Sequence, residues 1–134
     1  MKKIIFALMV CVAMFSFTAC SESVESQMFD LTYDKGDFES GDVMVYQREL
    51  QPIFAAELAK VAQQPTETGY TYMINGTEKK AKADIKAAFD KASVAAQEKA
   101  NTMNLKWTGF KTVVKYSNVS NQREPVEWIN YVFK

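Results

Sequence analysis

The chain has 134 residues, 24% of them charged, and its acidic and basic side chains balance to a formal net charge of zero. With no histidine anywhere, imidazole bases, His-dependent triads and zinc sites built on imidazole are excluded. No basic stripe of the kind that tracks a phosphate backbone is present, so nucleic acid is not an expected partner.

The amino terminus opens with Met1-Lys2-Lys3 and continues into an uncharged, proline-free apolar run from Ile4 to Phe15. That run is shorter than the roughly 20 residues a membrane-crossing helix needs. It has the length and the positive lead-in of a signal-peptide core. Phe17-Thr18-Ala19-Cys20 follows, and composition then turns polar and acidic from Ser21 to Gln27. The Phe-Thr-Ala-Cys segment resembles the lipobox of bacterial lipoproteins, with Phe17 where that family usually carries Leu. The resemblance covers residues 1–20 alone. It implies cleavage after Ala19, a diacylglycerol thioether on Cys20 and acylation of the new amine. Acyl chains add about 0.8 kcal/mol per buried methylene, and more than one makes a stable anchor. Ser21 after the cysteine, rather than Asp, resembles lipoproteins that move on to the outer membrane. The expectation is an exported protein held on a bilayer through acylated Cys20, in the outer membrane and facing the periplasm or the cell surface. Cys11 would be discarded and Cys20 consumed, which leaves the folded part without disulfides, thiol nucleophiles or iron–sulfur ligands.

The expected organisation is a signal peptide over residues 1–19, a lipidated cysteine with a flexible tether over 20–27, and one globular domain over 28–134. Within that domain, Met28 to Tyr33 alternates as a half-buried strand, with Phe29, Leu31 and Tyr33 on one side. Asp34-Lys35-Gly36-Asp37 breaks it. From Val43 through Tyr46, Leu50, Phe54 and Leu58 to Val61 the apolar residues keep a helical period. Pro52 suits a helix's first turn, which predicts a helix over Leu50–Gln63. Asp42–Gln47 remains open between strand and helix. Gly69 to Ile74 predicts a strand, and Asn75-Gly76 is a strong hairpin signal, with Thr77 to Ala81 as the return strand. The competing reading starts a helix at Thr77, because Glu-Lys-Lys-Ala-Lys-Ala favours helix. From Asp84 to Met103 the helix is clear, with Ile85, Phe89, Ala92, Ala96 and Met103 as its apolar stripe and Lys82, Lys86, Asp90, Lys91, Gln97 and Glu98 facing water. Leu105–Tyr116 and Val126–Phe133 predict paired strands around a polar loop, Ser117–Pro125. The fold class is α+β, two-layer, an antiparallel sheet with two helices on one face. The alternative is a cystatin-like arrangement, one long helix against a curved sheet.

Chemistry is scarce. The five glycines form no phosphate-binding loop, no serine–lysine pattern occurs, and no catalytic residue or cofactor is expected. Asp34, Asp37, Glu39 and Asp42 cluster in a turn-rich segment of hard oxygen donors, a weak calcium candidate whose spacing does not fit an EF-hand loop. Trp107 and Trp128 are expected on the sheet face turned away from the helices, as an aromatic platform for a ligand. The leading expectation is a non-catalytic, membrane-anchored binding or structural module for an envelope protein or glycan. The alternatives are an envelope-located inhibitor that inserts the 117–125 loop into a hydrolase, and a small hydrolase using carboxylates alone. The sequence gives no reading of oligomeric state.

Overall fold

The computed structural model describes residues 25–65, 69–119 and 124–134, so Cys20 and the expected signal segment lie outside the described residues. The elements run β1 (Glu25–Asp34), α1 (Ser40–Glu49), α2 (Gln51–Ala59), β2 (Thr71–Gly76), α3 (Glu78–Asn101), β3 (Lys111–Asn118) and β4 (Val126–Val132). The strands form one antiparallel sheet in the order β2-β1-β3-β4. Helices cover one face of it, which makes a two-layer α+β domain. The arrangement has two helical arms rather than a single cradled helix, since α2 packs along α3.

The alternation read from β1 is what buries it. Phe29 and Leu31 are sealed in the core, with Phe29 lying opposite Tyr72 of β2 and Tyr116 of β3. The first arm keeps its helical period from Val43 through Tyr46, Leu50 and Phe54 to Leu58, all buried. It is helical over Ser40–Glu49 and Gln51–Ala59, so Asp42–Gln47 resolves as helix, and the helix expected to run from Leu50 to Gln63 stops at Ala59. It breaks at Leu50, two residues before Pro52 in the first turn of α2. A proline there costs no hydrogen bond within its own helix and interrupts the one before it.

Two expectations fail at the sheet's second strand and at its start. The Asn75-Gly76 hairpin does not form. Gly76 does take a positive φ of 150°, but Thr77 then caps a helix, its Oγ1 accepting the Lys80 N–H at 3.2 Å. Such a cap stabilises a helix by about 1 kcal/mol, and Ala81 is buried one turn on. Helix propensity and the cap together outweigh the turn signal, and β2 pairs with β1 instead. The first strand also starts earlier than the expected Met28. It begins at Glu25, and Gln27 is fully buried, its Nε2 donating to the Gly76 carbonyl at 3.0 Å.

A further correction concerns the beginning of the expected 105–116 strand. Regular pairing starts only at Lys111, and Trp107 to Phe110 form a tight approach in which Gly109 N–H donates to the Phe133 carbonyl at 2.9 Å. That link draws Trp107 under the sheet's end and into the core.

Candidate partner-docking groove

The two tryptophans do not form an outer platform. Trp107 is 2% exposed and packs against Phe38 with ring centroids 5.9 Å apart and edge-on to Phe110 at 5.5 Å. Trp128 reaches the helix side by a register shift. Val114 pairs with Ile129 and Lys115 with Glu127, which leaves Trp128 as the extra residue of a β-bulge. A bulge turns the extra side chain out of simple alternation. The Trp128 ring lies 5.5 Å from Phe29 and 6.5 Å from Tyr116, with the Lys82 ammonium 5.4 Å from its centroid. The opposite sheet face is mixed where it was expected to be aromatic: the Thr71 hydroxyl donates to Asp30 at 2.7 Å and Lys115 stands in register with Asp30 and Glu127, while Met28, Met73 and Val113 are its apolar members.

The acidic segment after β1 works as local structure. An Asp34 carboxylate oxygen accepts the Gly36 N–H at 3.0 Å, closing the turn in which Gly36 takes a φ of 54°. The Asp42 carboxylate accepts the Glu39 N–H at 3.3 Å at the start of α1. Asp37 and Glu39 stay exposed. Among the described residues no three acidic side chains converge where a cation could sit, so the calcium candidate is corrected to capping and turn chemistry.

The site that emerges lies between α3 and β4. A groove of about 430 Å³ opens there, with Phe89 and Tyr131 supplying apolar wall, and with Val94 and Asn130 at its rim. Val94 is 63% exposed on a helix face that is otherwise charged or small. One side chain sets the groove's upper end. Gln97 Oε1 accepts the Tyr131 hydroxyl at 2.6 Å and the Lys134 N–H at 3.0 Å. Its Nε2 donates to Asn101 Oδ1 at 2.9 Å and the Lys134 carbonyl at 3.2 Å. With its donors and acceptor both engaged, Gln97 ties α3 to the end of β4, and burial raises the Tyr131 hydroxyl above its ordinary pKa. Gln97 was expected to face water, so its structural role is a finding.

Beside the groove, β4 is the last strand of the sheet. Its carboxyl-terminal half, from Ile129 onward, is in regular register, and Val132 is 43% exposed. The Phe133 N–H donates inward to the Phe110 carbonyl at 2.9 Å. By strand alternation the Val132 N–H points outward. Among the described residues no strand pairs with that outer side. The opposite edge is treated differently: Met73 of β2 exchanges two backbone hydrogen bonds with Gln63, at 2.9 and 2.8 Å, in a bridge that occupies the edge at that position.

Only Val94 leaves a trace of this site in the sequence, as an apolar residue on the polar face of α3. Asn130, Tyr131 and Gln97 meet through the fold. Comparison with known proteins finds no matching family, no matching curated protein and no matching solved structure.

Proposed function

We propose that this is a lipid-anchored envelope protein that binds a protein partner, without catalysing a reaction, by accepting an extended segment along β4. The observation that carries the reading is the unequal treatment of the sheet edges among the described residues, with β2 bridged at Met73 by its own chain and β4 carrying no such bridge beside an apolar-walled groove. An extended peptide added to an edge strand gains main-chain hydrogen bonds for affinity, and adjacent pockets read its side chains. The groove supplies such a pocket, and Gln97 holds its walls together. The glycan alternative loses its main support with both tryptophans on the helix side. Anchoring at Cys20 rests on the lipobox resemblance and on the apolar run before it.

Photo-crosslinking in the intact envelope tests the binding surface. A photoreactive amino acid at Val94 or Val132 should give one discrete protein adduct. The same group at Met44 or Val61, exposed but far along the first helical arm, should give none. Equal adducts at all positions, or none at Val94 and Val132, would remove the groove from the account.

A further inference from the structure

One end of the molecule gathers the start of β1, the end of β2, the end of β3 and the start of β4. Glu25 pairs with Gly76, Gln27 with Asn118, and Tyr116 with Val126. The N-terminus of α3 lies there as well, directly after Gly76. The other end carries the β1–α1 turn around Gly36 and the α3–β3 connection from Thr102 to Phe110. Cys20 precedes Glu25 by five positions, and a chain reaches at most about 3.6 Å per residue, so the leash is at most about 18 Å. β1, at ten residues, spans about 33 Å.

These lengths constrain orientation. If Cys20 sits in the bilayer, Glu25 stays within about 18 Å of it, whereas an inverted domain would hold Glu25 about 33 Å away. Inversion is therefore excluded, and the choice lies between upright and side-lying. Two of the exposed large apolar side chains, Val119 at 39% and Val126 at 63%, lie at the tethered end. Charge among the described residues there is mixed: Lys82 pairs with Glu78 at 2.8 Å and Lys80 with Asp84 at 3.0 Å, while Glu25 and Glu124 add acid and Lys79 base. Among the described residues such an end has little net attraction to anionic headgroups, and its exposed large apolar side chains are the pair of valines.

We infer that the domain stands on the bilayer with the end bearing Val119 and Val126 against the headgroup region, and presents the Gly36 and Leu105 end away from it. This rests on the proposed lipidation of Cys20. The pose lifts the Gln97–Lys134 end of the groove clear of the membrane, where a partner from the aqueous compartment can enter. Contact depends on leash length and the valines, so it is insensitive to lipid charge.

The full chain, matured in cells and purified in detergent, is reconstituted into phosphatidylethanolamine vesicles with and without phosphatidylglycerol. The mature protein holds no free thiol if Cys20 is lipidated, so single cysteines at Val119, Val126, Asn75 and Leu105 take a fluorophore selectively. Quenching by brominated lipid should be several-fold stronger at Val119, Val126 and Asn75 than at Leu105, in both compositions. Asn75 serves if either valine variant misfolds. Flotation with equal quenching at both ends would overturn the pose alone, as would quenching that appears only with phosphatidylglycerol. An unmodified Cys20 by mass spectrometry, with loss of flotation, would overturn the lipidation reading and this inference with it.

Discussion

The sheet has two outer strands, and the chain deals with them in opposite ways. At β2 the segment after α2 turns back, and Gln63 and Met73 satisfy each other's backbone groups. At β4 the half before Ile129 carries a bulge and Glu127, devices that discourage unwanted pairing, while the half after it is in regular register and uncharged. An unprotected edge is a liability that proteins ordinarily blunt. On the proposed function, the unbridged half-edge beside the groove held by Gln97 is the surface to which a partner should be matched.

The comparison can be broken or sharpened by substitution. The largest effect is expected at Trp107→Ala, which removes a buried ring and should cost about 3–5 kcal/mol in chemical denaturation. Trp107→Phe should keep much of that stability, because its indole N–H has no hydrogen-bond partner among the described residues. A Trp107→Ala variant of full stability would restore the platform idea. Next comes Met73→Pro, which deletes the N–H donated to Gln63 at 2.8 Å and should cost about 1–3 kcal/mol, read as a lower denaturation midpoint. Tyr46→Phe removes the buried hydroxyl 2.6 Å from Thr112 Oγ1 and should cost about 1 kcal/mol. The smallest effect is at Val94→Ser, within about 0.5 kcal/mol, although the crosslinked adduct at Val132 should weaken.

Alkaline pH tests the core beneath the sheet by another route. Burial pushes the Tyr72 hydroxyl up to about 12, and burial raises Tyr46 as well. Unfolded tyrosine ionises near pH ~10. The folded state therefore keeps protons that the unfolded state loses, so the contribution is fully present below that value and is lost as pH rises through the folded pKa. Urea midpoints should fall progressively above pH ~10, and Tyr46→Phe should flatten the decline. Midpoints unchanged between neutral pH and pH ~12 would contradict the burial of both rings.

Much of this fold was legible because period and burial coincide. The alternation of Phe29 and Leu31, the helical spacing from Val43 to Leu58, and the stripe of Ile85, Phe89, Ala92 and Ala96 all point inward as read. The misreadings share a cause, which is competition settled by distant contacts. Asn75-Gly76 is a good turn locally, but Thr77 capping α3 and pairing of β2 with β1 decide the outcome. Trp128 looked outward by counting, and a bulge whose partner is Val114-Lys115 of β3 reversed it. The groove was nearly invisible because its residues lie some forty positions apart, and only the antiparallel return of β4 beside α3 joins them. Cys20 lies outside the described residues, so its reading still rests on the lipobox.

The most direct test of the central claim is Val132→Pro, examined for stability and partner capture together. Proline is tolerated on an edge strand whose N–H faces outward, and it removes the donor that an added strand would need. The account predicts a denaturation midpoint close to that of the parent protein, with the adduct formed from a photoreactive group at Val94 abolished. An undiminished adduct from a folded Val132→Pro protein would contradict strand addition at β4.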